Sequence, residues 1–423
     1  MNDQFIPVSW SKNTNIYEVN LRQYTQEGTF QEFEKELPRL KDMGIEILWF
    51  MPITPISKEK RLGTLGSYYA CADYTTTNPE FGSIDDFKQL VATAHNLQFK
   101  VIIDWVANHT GWDHRWTWEH PEFYRLNHDG NFYDAHGWSD VIDLNYDLPE
   151  LHETMLNEMK FWIQECDIDG FRCDMAMLVP LSFWKMVRSE LDKIKKLFWL
   201  AECEDVAYHE VFDVTYTWKF LHCMEAFWRK ETGIEGLAHV LQYYHSMFPP
   251  KAMHAFFTTN HDENSHSGSE YERLGSAALA LSVLCCTWNG IPLIYSGQEM
   301  PNKKRLKFFD KDTIEWNGQY ELHDFFKKLL SLRKSNPALQ VNETEIHRLS
   351  GNQDWCIFSF IRKNGDDEVF VILNLSHEEK ISISLNMNLS GRFRNIFNGD
   401  EKELSESSRF NIQAWNYEVY EKM

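Results

Sequence analysis

The chain has 423 residues, of which 43% are hydrophobic and 25% charged, so composition points to a globular protein with one large domain and a smaller companion. Its 63 acidic and 42 basic residues leave a net charge of -21. That balance argues against nucleic acid or an anionic membrane surface as a partner and leaves a neutral ligand unaffected.

At the N-terminus, 1–10 shows neither the basic n-region nor the apolar h-region of a signal peptide. A cytoplasmic location is therefore expected, although a secreted chain stripped of its leader would read the same way. No run is long enough to span a membrane, and the longest, at 277–288, reads as a buried helix. Short β-branched or aromatic runs recur at 16–19, 47–51, 101–106, 168–174, 198–202, 214–217, 254–258 and 291–296. Nearly unbroken apolar runs of this kind are expected of parallel strands covered on both faces. Stretches at 29–42, 84–96, 149–165, 181–195, 234–247, 271–288 and 322–334 are predicted as helices, with Gly44 and Asp85 as stop and start signals. Eight strands alternating with helices predict an α/β fold, a (β/α)8 TIM barrel. A doubly wound sheet is the runner-up, but no Gly-rich phosphate loop follows the first strand.

The alternation breaks after the third strand, where a segment rich in Trp, His, Asp and Asn lacks a helical period. Long loops of this kind are usually functional, and one leaving the C-terminal end of a barrel strand forms part of an active-site wall. After 337, short strands at 355–361, 368–374, 380–385, 391–397 and 413–420 alternate with Gly, Asn and Ser turns and predict a small antiparallel β domain. The expected organisation is a barrel over 1–110 and 143–336, an insertion over 111–142, and a C-terminal β domain over 337–423. The eight Cys show no CxxC spacing, so buried free thiols are expected rather than a zinc site or redox pair.

The chemistry lies where polar residues end apolar strands. Asp104, Asn108 and His109 close the third run, Arg172 and Asp174 the fourth, Glu202 the fifth, and His261 and Asp262 follow the seventh. A lone strand-end Asp is more often a helix N-cap than a catalyst. In a barrel, however, all these ends converge on one face, bringing carboxylates, two His and one Arg into a single cleft. Glycosidic cleavage needs one ionised carboxylate to attack the anomeric carbon and one protonated carboxyl to give its proton to the leaving oxygen. Arg172 lies two residues before Asp174 and points to the same side of the strand, so its charge is expected to lower the pKa of Asp174. The neighbouring anions are expected to raise Glu202, which suits an acid.

The blocks 104–110 (DWVANHT), 170–177 (GFRCDMAM), 201–204 (AECE) and 258–263 (TTNHDE) resemble those of glycoside hydrolase family 13, the α-amylase family. Supporting blocks at 66–81, 141–147 (VIDLNYD) and 290–299 (GIPLIYSGQE) extend the resemblance over nearly the whole chain. It implies a TIM barrel with a short domain B over 111–142 and a C-terminal antiparallel β-sandwich over 337–423, and a retaining glycosidase acting on α-glucosidic bonds, α-1,4 foremost, of maltooligosaccharides or starch-like glucans. It assigns Asp174 as nucleophile, Glu202 as acid/base and Asp262 as transition-state stabiliser. Arg172, His109, His261, Tyr69 and Asp104 resemble the residues that bind the reacting sugar and the nucleophile. No cofactor is implied for the chemistry; calcium is allowed, with Asn108 and Asp143 resembling ligand positions.

Three departures stand against the pattern. Leu178 replaces a His that contributes its carbonyl to that calcium site, Met175 follows the nucleophile where Thr or Val is common, and 23–28 is too short for an alternative metal loop. An α-glucan transglycosylase or disaccharide-acting relative would use the same carboxylates, since water and a sugar hydroxyl attack the same intermediate. A non-catalytic glucan-binding protein is disfavoured because all three carboxylates are present. Trp112, Trp116, Trp118, Phe132, Tyr133 and Trp138 either line sugar subsites or pack the insertion onto the rim. Oligomeric state is not legible.

Overall fold

The computed structural model describes residues 7–386 and 389–423, which leaves out the first six residues of the segment read for a leader. Eight parallel strands close a barrel: β1 (Ile16–Val19), β2 (Ile47–Phe50), β3 (Lys100–Trp105), β4 (Gly170–Cys173), β5 (Phe198–Ala201), β6 (Val214–Tyr216), β7 (Met253–Phe256) and β8 (Ile291–Tyr295). Each strand pairs with its neighbours in sequence, and β8 returns to β1 with Ile16 opposite Leu293 and Glu18 opposite Tyr295. β1, β2, β4 and β5 are buried at every position, which is why they read as unbroken apolar runs. All eight lie within two residues of the sequence expectation.

The helices follow local chemistry. Ser83 and Asp86 form a reciprocal capping box at the start of Ile84–Asn96, which buries Phe87, Leu90, Val91 and Ala94 at helical spacing. The helix expected at 29–42 is instead two, Phe30–Glu34 and Leu37–Met43; Pro38, lacking an N–H, sits in the first turn of the second. The one expected at 271–288 is broken at Gly275, whose φ is 53° and where a Cβ would come within 1.9 Å of the Trp228 ring. A further helix, Trp218–Trp228, follows β6 and has no counterpart in the sequence reading; it buries Phe220, Leu221 and Met224 at helical spacing.

After β3 the chain leaves the barrel on an antiparallel ribbon, His109–Gly111 against Val141–Asp143, with one helical turn at Trp116–Glu119 beyond it. The C-terminal strands are β9 (Glu345–Leu349), β10 (Ile357–Asn364), β11 (Asp367–Asn374), β12 (Lys380–Ile383), β13 (Gly391–Asn395), β14 (Glu401–Leu404), β15 (Phe410–Ile412) and β16 (Tyr417–Lys422). Six form an antiparallel sheet in the order β9-β10-β11-β16-β13-β14, and β12 pairs with β15 in a second sheet. The sheets share a core of Phe370, Ile383, Phe393, Phe410 and Tyr420. The other face of the larger sheet joins the barrel core through Phe358, Phe360, Val369 and Val371, with Trp288 packed 4.8 Å from Phe360.

Among the described residues no helix is long and apolar enough to cross a membrane. All eight Cys are free thiols, and all but Cys223 are buried.

Candidate active site

The site is organised around one buried guanidinium. Arg172 projects from β4, and its Nη1 lies 2.9 Å from Asp104 Oδ1 and 3.0 Å from Asp174 Oδ1. Its Nη2 lies 2.8 Å from Glu202 Oε2, off the angle of a hydrogen bond, and its Nε donates to the Tyr216 hydroxyl at 3.3 Å. Close pairing of β4 with β5 makes this possible: a Cβ on Gly170 would come within 1.9 Å of Phe198 O, so glycine lets the strands that end in Asp174 and Glu202 run together.

Burial of these acids sets their protonation. Desolvation raises Glu202 to about 7, with Arg172 opposing it and Asp174 and Asp262 adding to it. Desolvation likewise raises Asp174 to about 6, although Arg172 works to lower it. This corrects the sequence expectation for Asp174: the guanidinium does favour the carboxylate, but loss of water and the neighbouring anions outweigh it. The order remains the useful one, with Glu202 keeping its proton to higher pH than Asp174.

Asp104 lies beneath the cleft, its Oδ2 accepting from Trp49 Nε1 at 3.2 Å and from the Tyr69 hydroxyl at 3.1 Å. The same hydroxyl meets His261 Nε2 at 2.7 Å, and His261 Nδ1 pairs with the buried Glu18 of β1. Burial alone would discharge His261, but Asp262 and Glu18 outweigh it and hold the ring well above its usual pKa. His109 is different: burial lowers it to about 4, so it is neutral near pH 7. Asp262 precedes a π-helical turn, Glu263–Ser267, a distortion that often marks functional sites and that here brings Asp262 and His266 to the same cavity.

That cavity, of about 350 Å³, holds Asp174, Glu202, Asp262, His109 and Tyr69 in its wall, while Arg172, Asp104 and His261 support them from below. A larger open depression of about 650 Å³ lies beside Trp10 and Lys185, but none of these acids lines it. Of the insertion's aromatic residues, Trp138 lines the cavity and stands 5.4 Å from the His109 ring. Trp116 is core, and Trp118 is exposed. Sequence reasoning missed Leu62, His266, Phe308 and Phe309, which complete the wall from the loops after β2, β7 and β8. Cys173 and Cys203, beside the two acids, are buried and their thiols are pushed up by desolvation, Cys203 to about 12, so neither is a nucleophile.

Asn108 and Asp143 sit at the base of the insertion. Asp143 Oδ2 accepts from the Ala135 amide at 3.0 Å, leaving Oδ1 buried without a partner, and Asn108 Nδ2 faces His109 Nδ1 at 3.2 Å. Among the described residues no group of three or more His, Cys, Asp or Glu is placed to hold a metal. Calcium takes roughly six to eight oxygens, and this pair falls short of such a set.

A closed parallel barrel with carboxylates, an arginine and two histidines gathered at the C-terminal ends of its strands defines an enzyme of the (β/α)8 class. The model of the α-amylase catalytic domain matches residues 7–128 and 121–336, and that of the α-amylase C-terminal all-β domain matches 350–419. The chain belongs to the α-amylase family, glycoside hydrolase family 13, and is a glycoside hydrolase. It is similar to a noncanonic maltogenic α-amylase from Thermotoga neapolitana, with 30% identity, a TM-score of 0.89, and coverage of 97% of this chain and 99% of that one. An α-amylase from Lactobacillus plantarum gives 29% identity, a TM-score of 0.88 and the same coverage. Alpha-amylase 2 of Dictyoglomus thermophilum is 24% identical over 94% of this chain and 75% of that longer protein.

Proposed function

We propose that this enzyme cleaves α-1,4-glucosidic bonds of maltooligosaccharides or starch-like glucans with retention, through a covalent glycosyl-enzyme intermediate. The observation that carries the reading is the single guanidinium of Arg172 shared by Asp174 and Glu202. Both carboxyls contact the one guanidinium, which supports their acting together on one anomeric carbon as nucleophile and acid/base. Asp174 attacks the anomeric carbon and Glu202 gives its proton to the departing glycosidic oxygen. Glu202, now ionised, takes a proton from water, whose oxygen attacks the same carbon and releases Asp174.

Asp262 supplies negative charge beside the oxocarbenium-like transition state, and Tyr69 offers a ring face to the reacting sugar. Neutral His109 donates to its hydroxyls, and charged His261 holds Tyr69 from below. Arg172 and Asp104 hold the nucleophile's position from below. No step passes through calcium. The division into a barrel (1–110 and 143–336), an insertion (111–142) and a C-terminal β domain (337–423) follows from the same reading. The packing of β10 and β11 on the barrel supports a covering role for the C-terminal part.

A transglycosylase would share every step except the last acceptor, and adding an acceptor sugar separates the two by their products. The reading is tested by product release from maltoheptaose, comparing wild type with Asp174→Asn. Release by wild type and a loss of several orders of magnitude in the variant are expected; equal release by both would overturn the assignment.

A further inference from the structure

We infer that Glu18 of β1 is a positioning residue for the reaction: by gripping His261 it fixes which way the Tyr69 hydroxyl donates, a role that rests on the glycosidase reading above. β1 reads Ile-Tyr-Glu-Val and is buried at every position, so Glu18 places an acidic side chain where an apolar one is expected. A buried acid is costly unless it is paired, and a well-packed apolar residue often serves a fold as well or better. Glu18 Oε1 lies 2.5 Å from His261 Nδ1 and accepts from the His261 backbone amide at 3.3 Å. Oε2 is buried with no hydrogen-bond partner among the described residues. The side chain is thus committed to one residue, the one that precedes Asp262.

Proton accounting gives the direction. The Tyr69 hydroxyl has one proton and two neighbours, Asp104 Oδ2 at 3.1 Å and His261 Nε2 at 2.7 Å. A neutral imidazole that gives its Nδ1–H to Glu18 has a bare Nε2, which would draw the hydroxyl proton away from Asp104. An imidazolium carries N–H on both sides, so Nε2 donates to Tyr69 and Tyr69 donates onward to Asp104. Asp104 in turn shares Arg172 Nη1 with Asp174, so the chain that starts at Glu18 ends at the nucleophile. His261 Nε2 also lies 3.2 Å from Asp262 Oδ2, which makes the same ring the countercharge of Asp262.

Several charged groups face this ring. Asp262 adjoins it, with His266 acting on Asp262 in turn; Asp104 faces it from β3, and Arg172 of β4 stands 5.8 Å from the Tyr69 ring. Tyr216 of β6 and Tyr295 of β8 lie beside Glu18. Trp49 and Phe308 complete the contacts with uncharged rings at 6.0 and 6.3 Å. Burial works to discharge His261, and Asp262 and Glu18 keep its proton. The Asp262 side chain is 36% exposed and that of Glu18 is fully buried, so solvent screens the first and leaves the second the steadier hold. Without Glu18, Tyr69 turns to His261, Asp104 loses a donor, and Asp262 loses its countercharge.

The test combines nitrogen-15 NMR of histidine-labelled protein with rates on α-maltosyl fluoride. The His261 signals are identified by their loss in His261→Gln. Wild type at pH 8 is expected to show both His261 ring nitrogens protonated, and Glu18→Gln to show one of them bare. In the Glu202→Gln background, which removes the titration of the acid, kcat/KM is expected to stay level from pH 7 to 9. Adding Glu18→Gln is expected to lower it about tenfold at pH 9, with the loss shrinking to within about threefold at pH 6. A neutral His261 in wild type at pH 7 would overturn the role whether or not the variant folds. A loss of equal size at every pH, or no loss, would overturn it as well. Wild type turning over neither α-maltosyl fluoride nor maltoheptaose would instead overturn the glycosidase reading beneath it.

Discussion

The backbone amide of Met175 donates to Glu202 Oε2 at 3.0 Å, from a residue held in the left-handed region at φ 40° and ψ 46°. The residue after Asp174 thus reaches across to the acid on the neighbouring strand, so one strained turn couples both groups. A non-glycine residue in this conformation costs ~1–2 kcal/mol, and such strain clusters at functional sites. Met175→Gly relieves the strain while adding backbone freedom to the unfolded chain, so its unfolding free energy is expected within about 1 kcal/mol of wild type by chemical denaturation. A loss well beyond that would show that the Met175 side chain, rather than the turn, holds the geometry.

The order of the two acids sets the pH dependence. Activity is expected to rise as Asp174 ionises near about 6 and to fall as Glu202 loses its proton near about 7, giving a narrow bell in kcat/KM. In Glu202→Gln, assayed with a fluoride leaving group that needs no proton, the falling limb should disappear and the rising limb remain. A falling limb retained in that variant would remove Glu202 from the role of acid.

Arg172 is the countercharge for a buried anionic cluster. Removing one partner of such a cluster costs about 3–5 kcal/mol, because the remaining charges are left uncompensated. Arg172→Met is therefore expected to lose that much stability at pH 8, where the carboxyls must ionise, and clearly less at pH 5, where they stay protonated. The sign follows from raised folded-state pKa values, whose contribution to stability is present at low pH and lost as pH rises through them. Equal losses at both pH values would contradict it.

Asp169 behaves oppositely at the other end of β4. Burial alone would raise it, but His95 at 2.7 Å, Lys195 at 3.1 Å, the Val101 amide at 2.9 Å and Lys100 at 3.0 Å together hold it down at about 2. A carboxyl so lowered stabilises the fold above its unfolded pKa, and that contribution is lost as pH falls toward 2. Asp169→Asn is expected to cost about 2 kcal/mol at pH 7, while kcat/KM holds. Unchanged stability at pH 7 would contradict the assignment.

The barrel was legible because its strands are covered on both faces, which turns topology into unbroken apolar runs such as 47–50 and 198–201. The acids that share the cavity were legible because Asp174 and Glu202 end two such runs and Asp262 follows a third within a short polar cluster. Phe308 and Phe309 were not: they sit in a polar loop with no period, and only its tethers to Gln23, Asn264 and Leu65 bring them to the cavity. The raised Asp174 was hidden for a similar reason, since a sequence shows the neighbouring Arg172 but not the water that burial removes. Strands β9, β14 and β15 escaped because they are short and carry few apolar residues (EIHRL, EKEL and FNI).

The central claim is that Asp174 becomes covalently bound to the sugar. The most direct measurement is mass spectrometry of peptides after incubation with 5-fluoro-α-D-glucosyl fluoride or its maltosyl counterpart, reagents that slow release of the intermediate. The added glycosyl mass is expected on the peptide containing Asp174, and it should be absent in Asp174→Asn. Label on Glu202 or Asp262, or turnover of maltoheptaose with no label on any peptide, would contradict the account.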